Sequence, residues 1–303
     1  MIIPFIKYSK ILLIFSSLVT VVCLTILVTW GLKPGIDFTS GSLLEVTFNT
    51  RPENAELKQI FDGIDLKNTF FQKTGENGVI IRSEFLSEEE HQLVLKELAT
   101  KLEPSGIMVH EDRFETIGPA ISKQLKSRSL VAIILVNLCI IGYVAYAFRK
   151  VSRPVASWKY GALAIVALVH DVLLVMGVFS VLGRFYGVEV DIAFVVAIIT
   201  VLGYSVNDTI VVYDRIRENL LRHGSDDFAD VVNAGLNQTL MRSINTTFKT
   251  MLPLFALFFI GGFSIHYFAL ALLIGIGSGA YSSIFIASPL LVYVYRWQER
   301  RAS

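Results

Sequence analysis

The chain has 303 residues, of which 53% are hydrophobic, a mean hydropathy of +0.58 and a net charge of +1. This composition excludes an ordinary water-soluble enzyme, and the near-neutral charge gives no electrostatic argument for nucleic-acid binding. The charges are unevenly placed, since 16 of the 26 acidic residues but only 11 of the 27 Lys and Arg lie between Gly31 and Ser127. A polar, mildly acidic insert is therefore set into a hydrophobic frame.

Six apolar runs are long enough to cross a bilayer as helices. They cover Ile11–Trp30, Ser129–Phe148, Tyr160–Leu182, Ile192–Tyr213, Ile244–Phe263 and Tyr267–Tyr295. The first run follows two lysines, as a signal peptide does. It is too long for one and lacks a small-residue cleavage site, so we interpret it as an uncleaved signal anchor. This predicts an N-terminus with span one in residues 1–30, a polar domain in 31–127, and spans two to six in 128–303.

The distribution of Lys and Arg predicts the orientation. Basic residues cluster before span one, between spans two and three, between spans four and five, and after span six. By the positive-inside rule both termini are cytoplasmic and residues 31–127 lie on the external, periplasmic side. Cys23 and Cys139 both lie within spans, so no disulfide is expected in the external domain.

The external domain has the pattern strand, helix, strand, strand, helix, strand. The predicted elements are Ser42–Phe48, Glu53–Gly63, Asn68–Lys73, Val79–Glu84, Glu88–Leu102 and Ile107–Thr116. A glycine-containing turn at Gly75–Gly78 predicts a hairpin, and Ser87 with Glu90 predicts a capping box. The apolar side of the second helix is predicted to contain Leu93, Leu95, Leu98 and Leu102. The order predicts a small α+β domain of the ferredoxin-like type, interpreted as a binding or packing module.

The fourth span carries an ionisable residue, Asp208, at membrane depth. On a helical wheel one half is polar and contains Thr200, Gly203, Tyr204, Asn207, Asp208 and Asp214. We expect the other half to face lipid, and it contains Leu202, Val206, Thr209, Ile210 and Tyr213. Because a charged group is costly in the bilayer, Asp208 should face protein or water and have a cationic partner.

The fifth span supplies that candidate partner. One face of its helix contains Gln238, Arg242, Asn245, Thr246, Lys249 and Pro253. Spans four and five are antiparallel, and Asp208 and Arg242 each lie about 9 Å of helix rise inside their cytoplasmic ends. We therefore predict an Asp208–Arg242 pair. Asn207, Thr246 and Thr247 are predicted to orient water there, and Lys249 makes the site more cationic than one pair requires.

Two functions remain open for these residues. A permanent ion pair would fix helix packing, whereas a proton relay would use the change in a carboxylate's proton affinity when its cation moves. In span three, His170-Asp171 is a further candidate for the relay, and helix–helix hydrogen bonding explains it equally well. Small residues in span six favour close packing of helices, namely Gly275, Gly277, Ser278, Gly279 and Ser282.

Five segments resemble the SecD/SecF family of bacterial protein-export membrane proteins, within the resistance-nodulation-division superfamily. They are Gly35–Gly41, Thr116–Pro119, Ala167–Asp171, Gly203–Asn219 and Asn237–Thr246. The fourth-span segment, which begins Gly-Tyr-Ser-Val-Asn-Asp-Thr, is the most specific of the five. Two residues depart from the family pattern, since Ser40 stands where Gly is usual and Lys249 where Thr or Ser is expected.

The resemblance implies a six-span half of that superfamily's fold, located in the bacterial cytoplasmic (inner) membrane and paired with SecD. It also implies that the proton motive force drives or completes export of unfolded preproteins beside the SecYEG channel, with Asp208 and Arg242 in the proton pathway. Neither enzymatic activity nor a metal or other cofactor is expected. The alternatives are a proton-coupled small-molecule exporter, an intramembrane aspartyl protease using Asp171 and Asp208, and a scaffold that stabilises a channel.

Overall fold

The computed structural model describes residues 3–64, 66, 69–147, 155–222 and 227–302. The chain forms two compact units, an α+β unit of Pro34–Leu130 and a membrane unit of Met1–Lys33 together with Val131–Ser303. Two sequence predictions lie outside the described residues, namely the end of span two at Phe148 and the start of a strand at Asn68.

The helices, in chain order, are α1 (Phe5–Trp30), α2 (Ile36–Thr39), α3 (Asn54–Gly63), α4 (Glu88–Leu102), α5 (Pro119–Ala147), α6 (Ser157–Tyr186), α7 (Ile192–Arg222), α8 (Phe228–Ile260), α9 (Phe263–Ser282) and α10 (Ser288–Ala302). A π-helical segment, Ser283–Ala287, joins α9 to α10. Among the described residues, six helical segments are long and apolar enough to cross a membrane, and the last combines α9, the π-helical segment and α10. The six predicted spans are confirmed.

The α+β unit contains one antiparallel sheet. Its strands are β1 (Gly41–Phe48), β2 (Phe70–Thr74), β3 (Gly78–Ser83) and β4 (Val109–Ile117), in the spatial order β2-β3-β1-β4. With α3 and α4 between strands, this is the predicted βαββαβ order, and β2 and β3 form the predicted hairpin. Leu44, Val46 and Phe48 of β1 are buried because alternate residues of a strand face the same side.

Helix α4 begins at the predicted capping box but turns a different side inward. The Ser87 Oγ accepts a hydrogen bond from the Glu90 N–H at 3.4 Å, and the Glu90 carboxylate accepts one from the Ser87 N–H at 2.8 Å. Its buried residues are His91, Val94, Leu98 and Leu102. The prediction for Leu93 was wrong, since its side chain is 50% exposed. The ring of His91 takes the inner position instead, stacked on Phe114 with 3.7 Å between ring centroids.

Before β1, the chain makes a turn with glycine-like geometry at a serine. Ser40 has a φ of 63°, and among the described residues it is the non-glycine residue with positive φ. The following Gly41 has a φ of 129°, and a Cβ there would lie 2.6 Å from the Ser83 carbonyl oxygen. Glycine is therefore required at position 41 by close packing, whereas Ser40 adopts a backbone conformation that L-residues rarely occupy.

The membrane unit has central and outer helices. In the most apolar stretch of each span, 50% of the residues of α7 and 67% of those of the last span are buried, against 11% for α1, α5 and α8. Small residues explain the central position of α9, since a Cβ at Gly275 would lie 2.2 Å from Val201 and one at Gly279 would lie 2.8 Å from Ser205. The predicted close packing at these two glycines is confirmed.

The predicted lipid-facing side of α7 was wrong. Leu202, Val206, Thr209 and Tyr213 are buried within the unit, whereas Gly203 and Asn207 on the polar half are exposed. The reason is that hydroxyl groups on the inner side find partners in the last span. The Thr209 Oγ1 lies 2.8 Å from the Ser283 Oγ, and the Tyr213 hydroxyl donates to the Ala287 carbonyl at 3.1 Å. Both partners belong to the π-helical segment, where the helical hydrogen-bond pattern is altered.

Candidate functional site

Asp171 on α6 lies where α6, α7 and α9 meet, and its side chain is fully buried. Its Oδ2 accepts hydrogen bonds from Ser205 of α7 at 2.6 Å and from Ser282 of α9 at 2.7 Å. Its Oδ1 accepts one from Ser278 of α9 at 2.6 Å and lies 3.1 Å from the Nδ1 of His170. Four polar groups from three helices therefore satisfy one buried carboxyl group, as burial of such a group requires.

Asp208 on α7 is buried as well, but it has fewer partners. Its Oδ1 accepts a hydrogen bond from the Ser243 hydroxyl of α8 at 2.7 Å. Within the described part of the chain, the buried Oδ2 of Asp208 has no hydrogen-bond partner, and neither has the buried Oγ1 of Thr247, one turn after Ser243 on α8. Half of this carboxyl group and a hydroxyl are therefore available at the contact between α7 and α8.

The predicted Asp208–Arg242 ion pair is not formed. Among the ion pairs of the described residues, none within 4.0 Å joins these two side chains, and Arg242 is exposed. The prediction matched the two residues in depth along their helices, but the direction of the side chains differs. Since successive residues of a helix point about 100° apart, the turn of α8 that brings Ser243 to Asp208 directs Arg242 elsewhere.

The other predicted site residues on α7 and α8 are divided between the interior and the surface. Thr247 is buried at the contact between α7 and α8, where Asp208 also lies. Asn207, Thr246 and Lys249 are exposed. The Thr246 hydroxyl donates to the Arg242 carbonyl at 2.8 Å. We call the exposed polar residues of α7 and α8 the uncovered polar face, which comprises Thr200, Asn207, Arg242, Asn245, Thr246 and Lys249.

Asp171 and Asp208 belong to separate hydrogen-bonded groups. Each carboxyl group is bonded to serine hydroxyls, and no hydrogen bond among the described residues joins the two. Ser205 and Asp208 are three residues apart on α7, which places the two groups about one helical turn from each other. An aspartyl protease needs two carboxyl groups that share a proton. The structure therefore does not support that alternative.

Sequence reasoning missed the serines that hold both carboxyl groups. Ser278 and Ser282 were interpreted only as small packing residues, and Ser205 and Ser243 were assigned no role. One signal was available, because Ser278 and Ser282 have the i, i+4 spacing that places two hydroxyls on one helix face. A wheel of a single span cannot show which neighbouring helix presents the carboxyl group that such hydroxyls bind.

Six membrane-crossing helices, a small βαββαβ unit after the first, and two buried carboxyl groups define a polytopic membrane protein with ionisable groups in its core. The family described as "Protein export membrane protein SecD/SecF, C-terminal" matches residues 97–297, and the "SecD/SecF GG Motif" matches residues 25–50. The chain therefore belongs to the SecD/SecF family of protein-export membrane proteins.

Individual relatives agree with this assignment. The protein translocase subunit SecF of Thermobaculum terrenum is 43% identical, over 88% of this chain and 86% of the relative. That of Synechocystis is 37% identical, over 96% of this chain and 94% of the relative. The crystal structure of SecDF, a translocon-associated membrane protein from Thermus thermophilus, matches with a TM-score of 0.82 and 30% identity. It covers 97% of this chain, which spans 38% of the length of that SecDF chain.

Proposed function

We propose that the chain is a SecF-type subunit of the Sec protein-translocation machinery. In this proposal it pairs with SecD in the bacterial cytoplasmic membrane and uses the proton motive force to drive or complete the movement of unfolded preproteins across that membrane. It acts beside the SecYEG channel as a non-enzymatic subunit, without a cofactor. Both termini lie in the cytoplasm and residues 31–127 lie outside. The observation that carries the proposal is the incompletely bonded, buried carboxyl group of Asp208.

Asp208 has the properties of a group that exchanges a proton. Its Oδ2 is buried without a partner among the described residues, while Oδ1 is bonded to a neutral hydroxyl. Arg242 directly precedes that hydroxyl's residue, Ser243, on α8. A rotation of α8 of about 100° would exchange Ser243 for Arg242 beside Asp208. Because a nearby cation favours the ionised form of a carboxyl group, this exchange would switch its affinity for protons.

The exposure of the membrane half of α8 supports a rotation of that half. Its cytoplasmic half is packed, with Val232, Gly235, Leu236 and Thr239 buried. Its membrane half is largely exposed, as shown for Phe248, Leu252 and Phe259. An outer helix with few packed side chains moves at lower cost than a central one such as α7. Proton binding at Asp208 would thereby be coupled to a movement of the helix that carries Arg242.

The uncovered polar face supports the pairing with SecD. Arg242 and Lys249 are both exposed in this chain. Cations within spans face protein or a water-filled cavity, because contact with lipid is costly. A second membrane protein is therefore needed to cover this face. SecD meets that requirement because the solved SecDF relative combines both parts in one assembly.

The test is proton-driven export in membrane vesicles that contain the chain with SecD. Asp208→Asn keeps the shape of the side chain but cannot titrate, so export should fall by about a hundredfold, the scale of losing a positioned proton-transfer group. Asp214→Asn is the matched control, since Asp214 lies on the same helix but is exposed and paired with Arg217. It should leave export unchanged, and all variants should retain SecD when the complex is purified.

Arg242→Gln should also stop export, because Asp208 loses the cation that releases its proton. The double variant Asp208→Asn with Arg242→Gln separates the relay from a scaffold. If both residues serve packing only, this neutral combination should restore export. Full export by the double variant, with the complex intact, would contradict proton transfer at Asp208 and favour the scaffold.

A further inference from the structure

An open cavity lies between α1, α6 and the last span, away from the contact of α7 with α8. It opens on the outer side of the unit, where its lining residues Val21, Val166 and Val169 are about half exposed. Its volume is about 450 Å³. Aliphatic side chains form most of its wall, and polar groups lie on two of the helices that line it, namely Ser16, Ser17 and Thr20 of α1 and His170 of α6. A cavity of this size holds several water molecules, and water in a cavity needs polar partners of this kind.

His170 connects this cavity to Asp171. Its side chain is only 8% exposed, and its Nδ1 lies 3.1 Å from the Asp171 Oδ1. Within the described ranges, no residue is hydrogen-bonded to its second ring nitrogen, Nε2. Because His170 lines the cavity, its unbonded ring nitrogen points to a polar occupant of the cavity.

We propose that the cavity is a water-filled access pocket through which Asp171 exchanges protons, with His170 as the group that transfers them. This inference rests on the proposed function, because it adds a second proton site to the same machinery. A hydronium ion in the cavity gives a proton to Nε2, and the ring releases the proton on Nδ1 to the Asp171 Oδ1. Water, a neutral ring and a neutral carboxyl group result, and the reverse transfer returns the proton to the cavity.

The serines around Asp171 fit both protonation states. A carboxylate accepts from all three hydroxyls, whereas a protonated carboxyl group must donate to one acceptor. The Nδ1 of His170 provides that acceptor, because it lies 3.1 Å from the Asp171 Oδ1 and has given up its own proton in the transfer. The three serine hydroxyls continue to donate to the carboxyl oxygens. Only hydrogen atoms need to move, and the helices stay in place.

The titratable groups around the pair come from three elements. Tyr281 of α9 lies 6.2 Å from His170 between ring centroids, and its hydroxyl lies 2.9 Å from the Ser16 Oγ of α1. Cys23 of α1 packs at Gly177 of α6. Asp208 lies one turn from Ser205 on α7. Of the described cationic side chains, that of His170 is the one within 4.0 Å of Asp171.

The first test is the reactivity of single cysteines, in the complex with SecD and with Cys23 and Cys139 replaced by serine. Ser17→Cys places a thiol at an exposed position on the cavity wall. Leu18→Cys places one at the same depth, also exposed at 62%, but outside the cavity. A charged methanethiosulfonate should modify Ser17→Cys at least about tenfold faster, since charged reagents are excluded from lipid. Equal rates would show that lipid fills the cavity and would overturn the proposal.

The second test observes the carboxyl group directly by infrared spectroscopy of the same complex. A protonated carboxyl band that is absent from Asp171→Asn should appear as the pH falls and should shift in D₂O. In His170→Gln, whose amide keeps a hydrogen bond but cannot relay a proton, exchange of this band with D₂O should slow by at least about tenfold. Exchange at the wild-type rate in that variant would overturn the role of His170.

This readout does not depend on export. The Asp171 band should persist in Asp208→Asn, whether or not that variant exports. Loss of the proposed function alone would therefore leave the infrared result intact. If no deuterium-sensitive band disappears in Asp171→Asn, then Asp171 does not exchange protons, even if Asp208 does.

Discussion

The two buried carboxyl groups of the membrane unit differ in how they are held. Asp171 lies among three central helices, and both of its oxygens have two polar neighbours. Asp208 lies between the central α7 and the outer α8, and a single serine of α8 is bonded to one of its oxygens. The same residue type is thus fixed in one place and only partly bonded in the other.

In the proposed function, this difference corresponds to two ways of handling a proton inside a membrane protein. At Asp171 a change of protonation would move only hydrogen atoms, so the surrounding helices would remain packed. At Asp208 the bonding partner lies on a helix with little packing in its apolar half, so a change of protonation would move that helix. The first arrangement would suit proton storage, and the second would suit conversion of proton flow into movement.

Removing each carboxyl group should show the largest contrast. Asp171→Ala leaves three buried hydroxyls without their acceptor and should lower the free energy of unfolding by about 3 kcal/mol or more. Asp208→Ala leaves only the Ser243 hydroxyl without its acceptor and should lower the free energy of unfolding by about 1 kcal/mol. Heat denaturation of the complex in detergent would rank the two variants. An equal loss of stability would mean that Asp208 is held as firmly as Asp171.

Moving α9 away from α7 should destabilise the central helices around Asp171, whose partners Ser278 and Ser282 lie on α9. In Gly275→Ala the new Cβ would lie 2.2 Å from Val201, so the helices must separate, at about 2 kcal/mol. Gly277→Ala is the matched control, because its Cβ would lie 3.8 Å from the nearest atom, on Met251. The same denaturation experiment should show a loss for the first variant and almost none for the second. A comparable loss in both would mean that helix packing at Gly275 is not what holds the central helices together.

Glu90 of α4 is an exposed carboxyl group, and it can be compared with the two buried ones. Hydrogen bonds from the backbone and then the side chain of Ser87 lower the pKa of Glu90 below its ordinary value. Its contribution to α4 is therefore complete above the ordinary pKa of Glu and is lost as the pH falls through the lowered pKa. Hydrogen exchange of the first-turn amides of α4 should accelerate, relative to the intrinsic rate, as the pH falls through that range. Glu89→Gln, at an exposed first-turn neighbour, should keep this pH dependence, whereas Glu90→Gln should remove it.

Features that depend on local sequence pattern could be predicted from the sequence. Features that depend on which side of a helix faces a neighbouring helix could not. The strands, the hairpin and the Ser87 cap follow from alternation, turn residues and capping chemistry, and all are present. The sides of α7 were reversed because the hydroxyls of Ser205 and Thr209 were not recognised as partners of Asp171 on α6 and of Ser283 in the last span. Arg242 was paired with Asp208 because the position of a residue along its helix can be counted from the sequence. The rotation of one helix relative to its neighbour cannot.

The π-helical segment Ser283–Ala287 determines the rotational phase of everything that follows it in the last span. A π-turn contains one residue more than an α-turn, so α10 is rotated relative to a continuous helix. Deletion of one residue within this segment would restore α-helical spacing and turn α10 by about 100° against α9. The Ala287 carbonyl would then turn away from the Tyr213 hydroxyl, while the length of the span would shorten by only about 1.5 Å. The number of residues in Ser283–Ala287 therefore sets the angle by which α10 is rotated relative to α9.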